Sequence, residues 1–208
     1  MMWWHWLSVI GSVAVTGPIG IVIMVWLLTG KSWRLSIIWA ALYGAGMALV
    51  VASKLAFIGW GIGVASLQFA GFSGHAMRAA AVFPVLGFLL TRSLPSWQRH
   101  LGPAVGVVLS VLIALSRIYT WSHSPSEAYT GCLLGLAVAF AFIWYASAER
   151  DLTFSRMLVM LCLPVLVVAP QFKPVPTERW ITKAALYLSG RDQPYTSAIW
   201  YGPRSRLR

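Results

Sequence analysis

Four clusters of polar residues interrupt a chain that is otherwise strongly apolar. They are Lys54; Ser73, Gly74, His75 and Arg78; Ser116 and Arg117; and His123 with Glu127. Lysine and arginine supply the positive charge that a phosphate dianion requires, and the planar fork of arginine matches two phosphate oxygens at once. Histidine can act as a nucleophile or as a general acid near neutral pH. These residue types therefore indicate chemistry on a phosphate group.

The spacing within two of the clusters supports this interpretation. Ser73 and Gly74 open an apolar segment that predicts a helix, and the free N–H groups at a helix start favour an anion. Gly74 also allows a ligand to approach the backbone closely. Glu127 follows His123 by four residues, so on a helix its carboxylate lies one turn away. There it can fix the imidazole tautomer and stabilise the imidazolium.

The composition predicts that these clusters sit in a membrane. The chain is 59% hydrophobic and only 10% charged, whereas soluble domains are roughly 25% charged. Its apolar blocks approach the ~20 residues that a helix needs to cross the hydrocarbon layer. Several tryptophans, among them Trp33, Trp60 and Trp97, lie near block ends, where indoles favour the headgroup zone. We therefore expect an all-α integral membrane helical bundle with about six transmembrane helices.

The predicted helices cover residues 7–29, 35–53, 73–91, 101–116, 127–147 and 157–170. The last is short and leaves three alternatives open: a tilted span, a re-entrant segment or an interfacial one. Within the basic tail, residues 177–189 predict a short helix on the membrane surface. We expect a transmembrane domain over residues 1–170, with its active site between residues 54 and 127, and a basic tail over residues 171–208, for which a position at the membrane interface is one alternative.

The loop charges predict the orientation. Basic residues lie between predicted spans one and two, between three and four, and after five: Lys31, Arg34, Arg92, Arg99, Arg150 and Arg156. The positive-inside rule makes these loops cytoplasmic and puts all four polar clusters at the outer end. We expect a multi-pass protein of a bacterial inner membrane with its site on the periplasmic face. A fully crossing sixth span would also put the basic tail outside, which the rule does not favour.

The net charge of +11 does not indicate nucleic acid here. The basic residues lie in short loops and the tail, where anionic headgroups are the expected partner, and no aromatic–basic nucleic-acid module is present. Cys132 and Cys162 fall inside apolar blocks and are expected to be small buried hydrophobes. Their spacing fits neither a disulfide framework nor a zinc site. We expect no metal and no other cofactor, and the sequence does not predict an oligomeric state.

The motifs resemble a known family. Residues 116–127 (SRIYTWSHSPSE) read S-R-x5-H-x3-E, residues 71–76 (GFSGHA) contain S-G-H, and Lys54 precedes both. This pattern is similar to the type-2 phosphatidic acid phosphatase family, which shares its active site with vanadium haloperoxidases. The family motifs are K-x6-R-P, P-S-G-H and S-R-x5-H-x3-D. The resemblance covers residues 54–127 and implies a membrane-bound phosphatase that works without a metal.

The resemblance also implies roles for the matching residues. His123 would attack phosphorus and form a phosphohistidine, His75 would protonate the leaving oxygen, and Glu127 would orient His123. Water would then hydrolyse the intermediate. The phosphoryl oxygens would be held by Lys54, Ser73, Gly74 and Arg117, with Ser116 placed beside them by the S-R pair.

The chain departs from the family motifs at three places: Phe72 replaces Pro, Glu127 replaces Asp, and Gly61 with Ile62 replace Arg-Pro. The last departure removes a phosphate-binding arginine. Our hypothesis is that Arg78 substitutes for it, because Arg78 follows His75 by three residues and so shares its helix face.

Three functions are compatible with these features. The first is hydrolysis of a phosphomonoester or diphosphate on a membrane lipid, such as phosphatidic acid, phosphatidylglycerophosphate, an isoprenoid diphosphate or a lipid A phosphate. The second is phosphotransfer, in which a lipid hydroxyl replaces water as the acceptor. The third is a lipid-phosphate binding or transport protein with a degraded site.

Overall fold

Helices account for nearly all of the regular structure in a computed structural model of the chain. The structure describes residues 2–30, 32–149 and 177–197. The helices are α1 (Met2–Ile10), α2 (Val13–Thr29), α3 (Trp33–Trp60), α4 (Gly74–Thr91), α5 (Leu101–Tyr119), α6 (Pro125–Ala148) and α7 (Thr177–Ser189). Short 3-10 turns cover Ala65–Leu67 and Gln98–His100. Across the described ranges the only β pairing is an isolated bridge between Val64 and Phe69. The predicted all-α class is confirmed.

Five helical segments are long and apolar enough to cross a membrane. They are Trp3–Thr29, Trp33–Trp60, Gly74–Thr91, Gln98–Tyr119 and Pro125–Ala148. These segments correspond to the first five predicted spans, so the chain is a multi-pass membrane helical bundle. The predicted sixth span, residues 157–170, lies outside the described residues, and so does Cys162.

The first span is broken where a continuous helix over residues 7–29 was predicted. Its two parts, α1 and α2, meet at Gly11 and Ser12, and Ser12 has an extended backbone with φ −66° and ψ 159°. Glycine is a poor helix former, which favours a break at this point. The break lets α1 pack along α5, where the Trp4 and Tyr119 rings stack with centroids 4.4 Å apart.

Helix α3 is longer than predicted, and the prediction that Lys54 ends the second span was wrong. The helix continues to Trp60, because lysine is itself a good helix former and the residues after it are again apolar. Gly61 ends it in the left-handed conformation, with φ 72°, and its N–H donates to the Phe57 carbonyl at 2.8 Å. Lys54 therefore projects from a helix and not from a loop.

Helix α4 lies at the centre of the bundle between α5 and α6. It packs closely because its neighbours present glycine: a Cβ added to Gly131 would lie 2.6 Å from the Ser73 carbonyl oxygen, and one added to Gly135 would lie 2.2 Å from that of Met77. Small residues allow this approach of backbones, which is a main source of helix association in membranes. The N-terminus of α4, with its S-G-H residues, is thus held firmly against α6.

The four polar clusters lie at one end of the bundle, which we call the site end. The C-terminal parts of α3 and α5 meet the N-terminal parts of α4 and α6 there, as the hydrogen bond from the Ser73 N–H to the Glu127 carbonyl (3.1 Å) shows. At the opposite end Arg92 donates to the Ala146 carbonyl at 2.6 Å. Basic Arg92 and Arg99 thus lie away from the polar clusters.

The predicted tail helix is confirmed, since α7 spans Thr177–Ser189. It packs against the C-terminal part of α3 at the site end: Ala185 is fully buried, and a Cβ added to Gly59 would lie 3.2 Å from the Ala185 carbonyl oxygen. The expected domain boundary at residue 170 lies outside the described residues and stays a prediction.

Candidate active site

The His123–Glu127 pair forms the centre of the site. His123 Nδ1 lies 2.8 Å from Glu127 Oε2, and the two side chains are only 9% and 10% exposed. Glu127 belongs to a capping box at the start of α6: Ser124 Oγ accepts the Glu127 N–H at 3.3 Å, and Glu127 Oε2 accepts the Ser124 N–H at 3.2 Å. An ionised Glu127 accepts the Nδ1 proton, which leaves the lone pair on His123 Nε2. That nitrogen is the one able to attack an electrophile.

Glu127 also connects His123 to the loop before α4. Its Oε1 accepts the Ala70 N–H at 2.8 Å, and its backbone carbonyl accepts the Ser73 N–H at 3.1 Å. The second and fourth polar clusters are therefore joined through one residue. The methylene that distinguishes this glutamate from the aspartate of the related motif extends the carboxylate towards these partners.

Two buried polar atoms have no hydrogen-bond partner among the described residues. They are Ser73 Oγ, at the N-cap of α4, and Arg117 Nε, near the end of α5. Buried polar groups are nearly always paired, so each unpaired one calls for an explanation. Both can donate a hydrogen bond, and one lies where the N-terminus of a helix favours an anion. An oxyanion is the ligand that would satisfy them.

His75 lies within the electrostatic reach of four other site residues: Arg117, Arg78, His123 and Lys54. It occupies the first turn of α4, immediately after Gly74. The structure thus brings the two histidines and three cations predicted from separate clusters into one region.

Arg117 contacts α1 and helps to place His123. Its Nη1 donates to Ser8 Oγ. Its backbone carbonyl accepts the N–H groups of Ser122 at 3.1 Å and His123 at 3.2 Å. Neighbouring Ser116 is fully buried, but its hydroxyl donates to the Ile113 carbonyl at 2.6 Å within α5. The Ser116 hydroxyl is thus engaged by its own helix, and no contact of the structure supports its predicted phosphate contact.

Arg78 is directed towards the N-terminus of α4. Its side chain is buried, its Nε donates to Thr16 Oγ1 at 3.2 Å, and a Cβ added to Gly74 would lie 3.0 Å from its Nη1. The missing side chain of Gly74 leaves the space that this guanidinium fills. Arg78 therefore places a positive charge beside the Ser73–Gly74 backbone, and its role as the substitute arginine stays a prediction.

A cavity of about 240 Å³ lies in front of His123. Lys54, His123 and Glu127 line one side of it. The other side comes from α7, through Glu178, Ile181 and Thr182. Lys54 Nζ forms an ion pair with Glu178 Oε1 at 3.2 Å, and Lys54 lowers the pKa of the Glu178 carboxyl. The basic tail is therefore a wall of the site.

Phe72, in the place of a proline, uses its backbone N–H. The N–H donates to Ser53 Oγ at 3.1 Å, a bond that proline cannot make. The preceding Gly71 has φ 136°, and a Cβ there would lie 3.2 Å from Lys54 Cγ. The loop is thus fastened to α3 at Ser53 and lies close against Lys54.

Gly61, in the place of the missing arginine, also has a structural reason. Its left-handed conformation ends α3, and an arginine would be strained there. A Cβ at this position would lie 3.1 Å from the Tyr195 ring, and the Tyr195 N–H donates to the Ile58 carbonyl at 2.9 Å. The tail thus covers the position that an arginine side chain would need.

Three polar contacts of the site were not predicted from the sequence: Ser8 to Arg117, Thr16 to Arg78, and Glu178 to Lys54. Ser8 and Thr16 are isolated hydroxyls in an apolar block, and no spacing marks them. Glu178 is an acidic residue in the first turn of an amphipathic helix, where a helix-stabilising role explains it equally well. In the part of the chain that the structure describes, no group of three or more His, Cys, Asp and Glu side chains is arranged to hold a metal ion.

Comparison with known proteins gives the family. The model of the PAP2 superfamily matches residues 62–151. An uncharacterised 22.5 kDa protein in the cps region of Klebsiella pneumoniae is 30% identical over 199 residues, which cover 93% of this chain and 95% of that protein. Phosphatidylglycerophosphatase B of Bacillus subtilis (strain 168) is 36% identical over 70 residues, covering 33% of this chain and 34% of that protein. No solved structure matches the chain. This chain belongs to the PAP2 superfamily.

Proposed function

We propose that this protein hydrolyses a phosphomonoester or diphosphate on a membrane lipid through a phosphohistidine intermediate on His123. The observation that carries the proposal is the 2.8 Å contact between His123 and Glu127 at a cavity that Lys54 also lines. The contact leaves Nε2 of a nearly buried imidazole free to react, and the ammonium beside it attracts a phosphate.

The reaction has two steps. In the first, His123 Nε2 attacks phosphorus, the bond from phosphorus to the lipid oxygen breaks, and protonated His75 gives its proton to that oxygen. The lipid alcohol, or lipid monophosphate, leaves. In the second step His75 takes a proton from water as the water oxygen attacks phosphorus. The phosphorus–nitrogen bond then breaks, and inorganic phosphate and free His123 are regenerated. No metal takes part.

The cations and helix N-terminus hold the transferred group. Lys54, Arg78 and Arg117 balance its charge, and the unpaired Ser73 Oγ and Arg117 Nε donate to its oxygens. The Gly74 N–H lies at the start of α4, where the helix dipole favours negative charge. Donors fixed before the substrate arrives stabilise the charge that develops in the transition state without reorganising.

The size of the cavity supports a lipid substrate, because the cavity accommodates a headgroup and little more. Ligand pockets for whole small molecules are typically ~300–1,000 Å³, and this cavity is about 240 Å³. The phosphoryl group enters it while the lipid tail stays in the bilayer. Phosphatidic acid, phosphatidylglycerophosphate, isoprenoid diphosphates and lipid A phosphates all meet this requirement.

The proposed location rests on the basic loops alone, because the basic tail helix α7 docks at the site end. The bacterial inner membrane, with the site on the periplasmic face, fits the basic residues Arg92 and Arg99 at the opposite end, since basic loops stay in the cytoplasm.

The decisive experiment measures phosphate release from a panel of these lipids in detergent. His123→Ala is expected to lower turnover by a factor of roughly 10³ or more, as removal of a nucleophile does. His100→Ala is the matched control, because His100 is exposed at the opposite end of the bundle, and it is expected to retain full activity. Full turnover by His123→Ala would contradict the proposal, and an inactive wild-type protein that still binds lipid phosphate would favour the binding or transport function.

Three further measurements define the chemistry. Orthovanadate mimics the five-coordinate phosphoryl group and is expected to inhibit, whereas EDTA is expected to leave the rate unchanged. Inhibition by EDTA that a divalent metal reverses would contradict a metal-independent mechanism. Adding a lipid alcohol distinguishes transfer from hydrolysis, because a transferase converts that alcohol into a new lipid phosphate.

A further inference from the structure

Glu178 is a carboxylate at the place where the site should attract a phosphate. Its Oε1 lies 3.2 Å from Lys54 Nζ, and it lines the same cavity as His123. Lys54 is the cation of this cavity, and its side chain is only 17% exposed. When an anionic ligand reaches His123 through the cavity, the Lys54 ammonium is therefore already paired with the Glu178 carboxylate.

Glu178 carries its negative charge at neutral pH. Lys54 has the largest influence on it, followed at longer range by His123 and Arg117, and together they lower the pKa of the carboxyl below its usual range. A lowered pKa means that the pair is intact at neutral pH and is lost only as the pH falls through that lowered value. The same residues that are proposed to hold a phosphoryl group thus hold the carboxylate.

The carboxylate can leave Lys54 without unfolding the tail. Helix α7 is anchored further along, through buried Ala185 and through the Tyr195 N–H that donates to the Ile58 carbonyl. The Glu178 side chain itself is 77% exposed. Rotation of this one side chain into solvent frees Lys54 while α7 stays docked.

Building on the phosphatase function proposed above, we propose that Glu178 is an internal competitor of the phosphoryl group for Lys54. The substrate displaces the Glu178 carboxylate from the Lys54 ammonium, and the carboxylate returns as inorganic phosphate leaves. Glu178 therefore weakens the binding of product phosphate and promotes its release.

Displacement makes a quantitative prediction. If an anion binds only when Glu178 has left Lys54, its apparent dissociation constant equals the intrinsic one divided by the fraction of molecules with Lys54 free. This fraction is a property of the protein, so every anion is weakened by the same factor. For an ion pair with one highly exposed partner the factor is expected to be small, about two- to fivefold.

The test compares Glu178→Gln with wild type in titration calorimetry, using purified full-length protein in detergent with inorganic phosphate and then with orthovanadate. The expected result is a two- to fivefold lower Kd for both anions, by one common factor. Asp192→Asn is the matched control: Asp192 is exposed just beyond α7, and its loss is expected to change neither Kd. With Lys54→Gln already present, Glu178→Gln is expected to lower both Kd values by a clearly smaller factor, because only the longer-range repulsion of the anion by Glu178 is then removed.

Equal affinities in wild type and Glu178→Gln, weaker binding in the variant, or different factors for the two anions would each overturn the inference. Lipid turnover is measured separately. The wild-type protein could show no turnover while Glu178→Gln still lowers both Kd values by one factor. That result would refute the phosphatase function and leave the competition for Lys54 intact. Normal turnover without the shift refutes only the role of Glu178. In the active enzyme the Ki of product phosphate is expected to fall by the same factor in Glu178→Gln.

Discussion

Glu127 joins three parts of the site through one carboxylate. One oxygen contacts the imidazole of His123 and the N–H of Ser124, and the other accepts the N–H of Ala70. An ionised carboxylate has about four lone-pair positions, so it accepts all three bonds without competition. In the proposed mechanism, the negative charge also stabilises the imidazolium character that develops on His123 when its Nε2 bonds to phosphorus.

Glu127→Gln is therefore expected to reduce kcat by roughly 100-fold or more, with a smaller change in KM. The amide has an N–H₂ group in place of one carboxylate oxygen. Whichever way the amide is oriented, this donor faces another donor, and the negative charge is lost. Steady-state assays on a lipid phosphate measure both constants. Glu149→Gln is the matched control at the other end of α6, where Glu149 is exposed. A Glu127→Gln enzyme with wild-type kcat would show that the contact with His123 has no role in turnover.

Arg78 provides a second prediction at the level of single residues. Arg78→Ala is expected to lower kcat/KM by roughly 10- to 100-fold, the range for a lost hydrogen bond to a charged group. Arg78→Lys is expected to recover part of the loss, because it restores the charge without the planar fork. Thr16→Ala, which removes only the hydroxyl partner of Arg78, is expected to have a smaller effect. Wild-type turnover and phosphate affinity in Arg78→Ala would refute its role as the substitute arginine.

At the level of helices, the packing of α6 on α4 fixes the distance between the two histidines. His75 follows the N-cap of α4, and His123 precedes α6 by two residues. Gly131 lets the backbones of these helices meet next to Ser73. Because packed interiors deform little, a larger residue at this contact displaces the start of α4.

Gly131→Ala is accordingly expected to destabilise the protein by ~1–3 kcal/mol through overpacking. It is also expected to lower activity more than stability alone explains, since Ser73 moves. Gly44→Ala is the control, because a Cβ there meets nothing within 4 Å, and it is expected to be neutral or slightly stabilising. Thermal unfolding in detergent and phosphate release measure the two effects. Equal melting temperatures for the two variants would exclude the close contact at Gly131.

Local signals in the sequence predicted most of the helices and part of the site. Hydropathy placed the start of α4 within one residue, and the spacing of His123 and Glu127 predicted a contact that depends on a single turn of helix. The end of α3 was misplaced because one lysine does not end a helix, whereas the left-handed Gly61 does. The Lys54–Glu178 pair joins residues 124 positions apart. No periodicity encodes such a contact, which depends on where the tail folds back.

At the level of the whole molecule, the tail completes the wall of the site. Helix α7 lies on the C-terminal part of α3, where Gly59 faces Ala185 and Ser189. The sequence predicted a helix here at the membrane surface, and the helical structure is confirmed, whereas its position at the surface stays a prediction. Its main contact with the described bundle is α3, and its acidic first turn reaches Lys54.

A cross-link tests this arrangement. A Cβ added to Gly59 would lie 3.3 Å from the Ser189 Cβ, which is close to the ~3.5–4.5 Å of a disulfide. Gly59→Cys with Ser189→Cys, in a chain whose Cys132 and Cys162 are replaced by serine, is expected to form a disulfide under mild oxidation. Protection of both thiols from a maleimide reagent measures it. Ser189→Cys alone in the same background serves as the control and is expected to leave its thiol reactive; failure of the Gly59 pair to cross-link would refute the docking of α7.

The position of Glu178 along the chain has a consequence for biosynthesis. The residues of the site leave the ribosome in the order Lys54, the start of α4, His123 with Glu127, and finally Glu178. Until α7 has been translated and has docked, a nascent protein exposes an uncompensated ammonium next to its reactive imidazole. The ion pair between Lys54 and Glu178 is therefore a late event, which forms only after the tail has been translated and has docked on α3.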